Sequence, residues 1–257
     1  MKMKPVFTID VEDWMQSANL SPYLPIIDSS HSSVPMTDTL LTILKRKNVK
    51  GTFFVLGIIG EQFPELIERI AEDGHEVASH GWNHRLISTM SRTELAEDLE
   101  KSKKLLSEIS QQEVIGYRSP CFSQSRFLGQ LLKDLGFCYT SIGISSSLHD
   151  RYANNTYDER TIPDFPLPVA EFAGLKIPAT GGGWFRLFPV WLQQMLIEKA
   201  PQDTKVFYCH PWDFDAYQVG LRGVPKLVRW RHLVNNQFSI RKLEKMDFHH
   251  LPLKSCL

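Results

Sequence analysis

Apolar and polar residues follow two different periods along most of this chain. A short continuous apolar run at residues 51–56 predicts a buried strand, whereas residues 37–47 and 64–73 repeat their apolar positions at helical spacing. The second of these helices begins at a proline and is closed by Gly74, which is the usual asymmetry of helix ends. Because strands and helices alternate in this way, we expect a largely parallel sheet with crossover helices.

The same alternation continues toward the C-terminus. Ser91 to Glu94 forms a capping box, and it predicts a long helix to about Ile109. Residues 143–168 are rich in Ser, Asn and Asp, and they predict a long irregular loop of a kind that often binds or covers a ligand. The other predicted elements are strands at 5–9, 74–78, 114–117, near 139 and at 205–209, and helices at 126–135, 188–199 and 239–246. One barrel-like α/β domain fits this order better than two domains.

Composition narrows the class of protein. The chain has 257 residues, 42% of them hydrophobic and 23% charged, as in ordinary globular proteins. Its 29 basic residues balance 29 acidic ones, so net charge gives no reason to expect nucleic acid or an anionic membrane surface as a partner. We expect no integral membrane segment and no signal peptide. The four cysteines show no paired spacing, which favours reduced thiols and a cytoplasmic protein.

Polar side chains that could bind a metal or transfer protons follow several of the predicted strands. Asp10, Glu12 and Asp13 come after the first strand, and His80 and His84 follow the strand at 74–78. Arg118 and His210 likewise stand just beyond predicted strands. A barrel brings the carboxyl ends of its strands to one rim, so we expect these residues to meet there.

The histidine pair is the first candidate metal site. Two imidazoles four residues apart can face the same way on a helical turn or in a tight loop, and two His with a carboxylate suit a divalent metal. The alternative is a polar loop whose imidazoles bond to backbone carbonyls. If the first strand continues through Val11, Asp10 and Glu12 share a face and Asp13 points away. Glu12 is therefore the predicted third ligand, with Asp13 as the alternative.

Several spaced motifs resemble the polysaccharide deacetylase family (NodB homology, carbohydrate esterase family 4). They are KGTFFVLG at 50–57, FPEL at 63–66 and GHEVASHGWNH at 74–84. DVEDW at 10–14, GGGWFRLFP at 181–189 and HPWD at 210–213 are similar to the branch of allantoinase-like and exopolysaccharide-system deacetylases. The likeness covers residues 5–215 and implies a distorted (β/α)7 barrel, with one domain over 1–257 and a C-terminal extension at 216–257.

The resemblance implies a role for each site residue. His80 and His84 match the two metal ligands of the family, Asp10 the base that takes a proton from water, and Arg118 the arginine that holds this base. His210 matches the acid that protonates the leaving amine, and the backbone amide of Cys121 lies where the family has an oxyanion donor. The structural alternatives are an arginine paired with any nearby acid and a histidine that caps a helix.

Two features leave the substrate open. Trp82, Trp184 and Trp212 flank the motifs and could either stack on sugar rings or simply pack. The Asp–Trp motif that supports the arginine in the family is absent, with Gly181 to Arg186 in that region, and Asp213 stands where relatives of this branch often have glutamate.

The resulting hypothesis is a metal-dependent hydrolase that removes an N-acetyl group from an amino sugar of a bacterial surface polysaccharide or its precursor. Zn²⁺ is the expected metal, with Co²⁺, Mn²⁺ or Ni²⁺ as alternatives, and an N-acetylated saccharide is the expected partner. The alternatives are an allantoinase-like hydrolase of a small cyclic amide or ureide, and a non-catalytic relative that only binds saccharide.

Overall fold

The structure is a computed structural model of the chain. It describes residues 4–23, 32–144, 146, 162–172, 174–218 and 221–257. Most of the long loop predicted at 143–168 therefore lies outside the described residues. Within the described residues, no helix is both long and apolar enough to cross a membrane.

A parallel sheet of six strands forms the centre of the fold. Its order is β5-β4-β3-β2-β1-β8, so the chain moves outward from β1 and returns to the other side of β1 at the end. The strands are β1 (Val6–Val11), β2 (Thr52–Val55), β3 (Glu76–Ser79), β4 (Gly116–Tyr117), β5 (Tyr139–Thr140) and β8 (Val206–Cys209). Their residues are buried on both faces, which explains why they read as continuous apolar runs.

The helices surround this sheet. They are α1 (Met36–Arg46), α2 (Gly57–Gln62), α3 (Pro64–Glu72), α4 (Arg92–Ser110), α5 (Leu128–Asp134), α6 (Gly182–Leu187), α7 (Val190–Lys199), α8 (Lys226–Leu233) and α9 (Asn236–Lys245). The predicted capping box is present, because the Ser91 hydroxyl accepts from the Glu94 amide and the Glu94 carboxylate accepts from the Ser91 amide. The structure thus has the alternating strands and helices that the sequence predicts, in a single domain.

The sheet curls toward closure through irregular segments. Beyond β5, the amide of Thr140 donates to Pro163 and the amide of Phe165 donates to Thr140, so this stretch continues the parallel pairing. The antiparallel hairpin of β6 (Val169–Phe172) and β7 (Leu175–Pro178) follows, and Thr180 then bonds through its hydroxyl to the Val206 carbonyl in β8. Parallel strands that curl in this way match the distorted barrel that the motifs imply.

The C-terminal residues pack into the same core. Phe248 lies against Phe7 and Phe207, with ring centroids 5.4 and 5.2 Å apart. The His249 amide donates to the Pro5 carbonyl, and the Leu253 amide donates to the Thr52 hydroxyl. The stretch at 216–257 is therefore continuous with the barrel and covers one end of its strands.

Some elements were not predicted from the sequence. The sequence prediction missed helices α2, α6 and α8 and the β6–β7 hairpin. Each is short, and each contains glycines or a mixture of apolar and charged residues without a clear period. Conversely, β1 extends two residues beyond the predicted end at Ile9, and Asp10 lies within the strand. Because Asp10 is part of the strand, the direction of its side chain is set by the sheet and not by a loop.

Candidate metal and acid–base site

Asp10, Glu12 and Asp13, the three acidic residues at the end of β1, do not all lie in the same site. Asp10 is the fifth residue of the strand, and the amide of Glu12 donates to the Asp10 carbonyl in a tight turn just past the strand end. Asp10 and Glu12 are both buried on the side of the histidine pair. The strand itself ends at Val11, so the strict alternation used in the sequence prediction stops there, although Glu12 still reaches the predicted place.

Asp13 lies outside this cluster. Its carboxylate caps a 3-10 turn and accepts from the amides of Trp14 at 2.7 Å and Ser33 at 3.3 Å. Burial raises the pKa of Asp13 above its ordinary value. The alternative assignment of Asp13 as the third metal ligand does not agree with this geometry, because the carboxylate faces its own turn.

The histidines stand in a loop rather than on a helix. Gly81 has φ +80° and His84 has φ +63°, so the chain turns through left-handed conformations to bring both imidazoles to one side. The half-buried Asp98 of α4 holds this loop, since it accepts from the Trp82 amide at 3.0 Å and leaves no room for a Cβ at Gly81. Burial raises the pKa of Asp98.

Glu12, His80 and His84 bring three ligand atoms within 4.8 Å of one another. Glu12 Oε2 lies 2.6 Å from Nε2 of His84 and 3.7 Å from Nε2 of His80. Despite these approaches the same oxygen is buried and accepts no hydrogen bond of acceptable geometry. An unsatisfied buried carboxylate oxygen facing two imidazole nitrogens fits a divalent metal, because two nitrogens and one oxygen are a common ligand set for Zn²⁺.

The hydrogen bonds around the cluster orient its ligand atoms. His80 Nδ1 lies 2.8 Å from the Arg118 carbonyl, which can only accept, so Nδ1 donates to it and Nε2 is the ring atom that faces the other two ligand atoms. Burial by itself raises the pKa of Glu12, but the attraction of His84 and the contacts with His80 and His210 outweigh it. The pKa of Glu12 consequently lies well below its usual value, and the carboxylate is charged.

Asp10 is held by a buried arginine on its far side. Arg118 Nη1 donates to Asp10 Oδ1 at 2.5 Å and to the Thr8 hydroxyl at 3.0 Å. Arg118 is fully buried, its Nη2 donates to the Ser141 hydroxyl at 2.8 Å, and its guanidinium lies over the Phe54 ring. Thr8 and Ser141 thus support the arginine here, where the family pattern has an Asp–Trp motif. Asp10 Oδ2 stays on the metal side, 4.0 Å from His80 Nε2.

His210 faces the cluster from β8 and is held in turn by Asp213. Asp213 Oδ2 lies 2.9 Å from His210 Nδ1 and also accepts from the His210 amide at 2.9 Å. His210 Nε2 then points toward Glu12, at 3.6 Å from Oε1. Burial lowers the pKa of His210, but the charge and hydrogen bond of Asp213 and the charge of Glu12 raise it above the ordinary value.

Arg186 holds the Asp213 carboxylate that contacts His210. Its Nε lies 3.2 Å from Asp213 Oδ1, and its Nη1 bonds to the Asn236 amide oxygen at 2.7 Å. Burial opposes ionisation of Asp213, but Arg186 and His210 together lower the pKa of Asp213 below its ordinary value. Gly182 lies so close to the Asp213 carboxylate that an added Cβ would sit 2.2 Å from it. The glycine-rich motif therefore admits Asp213 and carries Arg186 to it.

A cavity of about 540 Å³ opens over these groups. Asp10, Glu12, His80, His84, Cys121, Trp184, His210 and Trp212 line it, together with residues such as Tyr23, Val228 and Arg231. The structure thus brings together all the predicted site residues except three: Asp13, Arg118 and Trp82 do not line the cavity. Arg118 acts from behind Asp10, as described above.

The three tryptophans differ in what they contact. Trp212 stacks on the His210 ring at 4.1 Å between centroids, and its Nε1 donates to Glu12 at 3.4 Å. Trp184 is half-buried at the cavity wall. Trp82 packs on α2, where an added Cβ at Gly57 would lie 2.3 Å from its ring. The substrate-binding prediction for Trp82 therefore finds no support in its position, which is that of a packing residue.

Sequence reasoning missed several supporting residues. Asp98, Ser141, Thr8 and Arg186 each hold a site residue, yet each comes from a different element far along the chain. The glycine run before Arg186 was a usable signal, since it marks a close approach of another group. Asp213 was noticed only as a departure from relatives, and its spacing of three from His210 could have suggested the hydrogen bond.

Two family models match consecutive parts of the chain. Residues 27–140 match the family described as Polysaccharide deacetylase, and residues 139–256 match a domain of unknown function, DUF3473. The first match contains the histidine pair and Arg118, and the second contains His210 and Asp213.

Individual relatives cover smaller parts. A 77-residue stretch, 30% of the chain, is 44% identical to the peptidoglycan-N-acetylglucosamine deacetylase PgdA of Listeria monocytogenes but spans 16% of that protein. A 135-residue stretch, 52% of the chain, is 28% identical to the peptidoglycan-N-acetylmuramic acid deacetylase PdaA of Bacillus subtilis and spans 51% of it. A crystal structure from Mycobacterium smegmatis, assigned to the polysaccharide deacetylases, superposes with a TM-score of 0.61 at 23% identity. It covers 98% of this chain and 87% of its own, and shows the same fold.

Proposed function

Since the chain carries a polysaccharide deacetylase domain, we propose that it is a metal-dependent hydrolase that removes the N-acetyl group from an amino sugar. The substrate is a bacterial surface polysaccharide or its precursor. One observation carries the proposal: the buried, unsatisfied Oε2 of Glu12 faces His80 and His84, beside a carboxylate that Arg118 holds in place. A metal site next to a fixed base is what amide hydrolysis needs.

Glu12, His80 and His84 hold the divalent ion in this proposal, with Zn²⁺ as the first choice and Co²⁺, Mn²⁺ or Ni²⁺ as alternatives. When bound, such an ion polarises the acetamide carbonyl and lowers the pKa of water. The remaining steps belong to side chains of this chain. Trp212 supports the ligand set by donating to Glu12 at 3.4 Å.

Asp10 acts as the general base. Its Oδ2 takes the proton from the attacking water, because Arg118 occupies Oδ1. Arg118 is a positioning residue, since it fixes the plane of the carboxylate and does not reach the cavity.

His210 acts as the general acid. An amide nitrogen is a poor leaving group until it gains a proton, and Nε2 of His210 faces the cavity while Asp213 holds Nδ1. The charge and hydrogen bond of Asp213 raise the pKa of His210 above its ordinary value, which favours the protonated imidazole that an acid requires. The released amine takes that proton, and the acetyl group leaves as acetate.

The carbonyl oxygen of the substrate acetamide needs a hydrogen-bond donor, because negative charge develops on it during the reaction. Cys121 stands at the cavity wall with φ +52°, a left-handed conformation that turns its backbone away from regular structure. We assign its amide as the oxyanion donor. Trp184 offers its ring to the saccharide at the cavity wall, whereas Trp212 is stacked between His210 and His232 and presents only its edge.

A cytoplasmic precursor is the substrate that we favour over a finished wall polymer. The four cysteines form no disulfide and three of them (Cys121, Cys138 and Cys256) are at least partly accessible, which suits a reducing compartment. A lipid-linked or nucleotide-linked saccharide is the form of such a precursor in that compartment.

Acetate release tests the proposal. The zinc-loaded protein is incubated with N-acetylglucosamine oligomers and with lipid-linked and nucleotide-linked N-acetyl sugars, and acetate and free amine are quantified together. We expect equal amounts of both products, and their loss with His210→Gln and with a chelator. Hydrolysis of allantoin or another cyclic ureide, without acetate from any sugar, would favour the ureide hydrolase. Saccharide binding without any product would leave a non-catalytic binding protein.

A further inference from the structure

The balanced net charge of the chain conceals a strongly basic segment. Residues 216–243 contain six Lys and Arg residues and no Asp or Glu, although the whole chain has 29 of each sign. This segment includes α8, and it ends inside α9. At neutral pH the segment therefore carries positive charge that no carboxylate within it compensates.

Helix α8 turns an unusual face toward solvent. Lys226, Leu227, Trp230 and Arg231 are all exposed, and steps of 100° along a helix place them on one arc of 140°. We call these four residues the α8 face. Leu227 is 75% exposed and Trp230 is 58% exposed, which is costly for large apolar side chains without a partner. Among the described residues, neither cation of this face has an ion pair.

The α8 face borders the cavity of the proposed active site. Val228 and Arg231 line that cavity, and His232 on the inner side of the helix is buried. On the outer side, Lys226, Arg229, Trp230, Leu233 and Val234 line a shallow groove of about 330 Å³. One short helix thus separates the cavity from an exposed surface that is both apolar and cationic.

We propose that the α8 face docks onto the surface of an anionic lipid bilayer and so brings the cavity mouth to the membrane. Interfacial helices combine Lys and Arg with Trp and Leu in this way, because the cations meet lipid phosphates while the apolar side chains enter the headgroup boundary. An acidic saccharide polymer complements the cations equally well but offers no apolar phase for Leu227. Charge complementarity and the apolar exposure together favour lipid.

The consequence for the substrate rests on the proposed function. A cavity held at a bilayer surface suits a saccharide carried on a lipid, whose sugar stands just above the headgroups. The docking itself does not depend on catalysis. It can therefore be measured without saccharide and without changing the metal content of the protein. Failure of docking leaves the deacetylase proposal intact, and absence of acetate release leaves docking intact.

Vesicle sedimentation tests the docking. The full chain is mixed with vesicles of pure phosphatidylcholine and with vesicles that contain phosphatidylglycerol, at low and physiological salt. We expect binding to the anionic vesicles that weakens with salt, and little binding to the neutral ones. Lys226 and Arg229 both line the groove that borders the α8 face. Lys226→Gln with Arg229→Gln should weaken partition about thirtyfold, at about 1 kcal/mol for each cation near the surface.

Insertion of the apolar side chains has its own readout and matched control. Brominated lipids should quench part of the tryptophan emission in the wild type, and Trp230→Ser should remove that quenching. Trp191 on α7 is 67% exposed, so Trp191→Ser removes an equally exposed indole elsewhere and should leave quenching and binding unchanged. Lys104→Gln with Lys133→Gln is the corresponding charge control.

Three results would overturn the proposal. Equal binding to neutral and anionic vesicles would remove the electrostatic basis, and equal effects of Trp230→Ser and Trp191→Ser would remove the α8 face as the point of contact. Binding to a soluble polyuronate through Lys226 and Arg229, without binding to vesicles, would identify an acidic polysaccharide as the occupant instead.

Discussion

Two buried arginine–aspartate pairs flank the cavity, and they reach the reacting groups differently. Arg118 donates to Asp10 at 2.5 Å, and Asp10 itself is the proposed base. Arg186 lies 3.2 Å from Asp213, and Asp213 in turn holds His210, the proposed acid. One arginine therefore contacts the reactive side chain, whereas the other acts through an intermediate carboxylate.

The difference between the two pairs follows from the roles proposed for Asp10 as the base and His210 as the acid. A base must keep a fixed orientation toward the attacking water, and an arginine bonded to one of its oxygens holds that orientation. An acid must keep its proton near neutral pH, and a nearby anion raises the pKa of an imidazole whereas a cation would lower it. Asp213 is therefore the direct neighbour of His210, and Arg186 is needed only to keep Asp213 ionised while buried.

Loss of the base should give the largest effect. Asp10→Asn keeps the shape of the side chain but cannot take a proton, so we expect kcat to fall by about 10³-fold while zinc content stays at the wild-type level. Acetate release and elemental analysis of the same preparation measure both quantities. Retention of most of the activity would assign the base to another group.

Removal of Arg118 should damage both activity and folding. Arg118→Gln leaves Asp10 buried without its partner, so we expect about a hundredfold loss in kcat from misplacement of the base. The free energy of unfolding should fall by about 3–5 kcal/mol in urea titrations, since one member of a buried pair is left alone. The double variant Arg118→Gln/Asp10→Asn should recover part of that stability, and no recovery would mean that the pair is not coupled.

Asp213→Asn should be milder, because it acts through His210. The amide can still contact Nδ1 of His210 but supplies no charge, so we expect about a tenfold loss in kcat with KM unchanged. Steady-state kinetics on an N-acetylated sugar measures this. A loss as large as that of His210→Gln would place Asp213 in the reaction itself and would erase the contrast between the two sides.

The pH dependence of folding should come from outside both pairs. Burial and the charge of Lys50 lower the pKa of His75 to about 4, while its Nδ1 accepts from the Gly51 amide. Because the folded pKa lies below the unfolded value of about 6.5, the contribution of neutral His75 to stability is complete above pH 6.5 and is lost as pH falls toward 4. We expect about 2 kcal/mol less stability at pH 5 than at pH 7.5 from this residue.

His75→Asn is the matched variant, since its amide oxygen can replace Nδ1 as the acceptor. Urea titrations at pH 7.5 and pH 5 should show a smaller loss of stability in the variant than in the wild type. Equal losses in the two proteins would mean that His75 does not titrate on unfolding, and acid loss of activity would then have to be sought in the cavity.

The strand-end chemistry could be predicted because parallel strands impose it. Asp10 lies near the end of one strand of the sheet, and His80 and His210 directly follow two others, so their convergence depends only on the order of elements along the chain. Glu12 was also predicted as the third ligand from side-chain alternation. The structure brings it to the histidines through a tight turn instead, and so the correct residue was reached partly for a different reason.

The supporting contacts could not be predicted from spacing. Arg186 meets Asp213 because α6 packs on the turn after β8, and Asp98 reaches the histidine loop from the middle of α4. Such pairs depend on how loops and helices fold back, for which the sequence offers no period. The same limit applies to α8, whose exposed Leu227 and Trp230 read as ordinary apolar positions until their exposure is known.

Zinc content per chain is the sharpest test of the proposed metal site. We expect one zinc per chain in the wild type and in Asp10→Asn and Asp13→Asn, and its loss in Glu12→Gln and His80→Ala. Elemental analysis after equilibration with zinc between about pH 6 and 9 measures the zinc content. A wild-type protein without metal across that range would rule out the site, and a Glu12→Gln variant that keeps its zinc while Asp13→Asn loses it would rule out Glu12 as the third ligand.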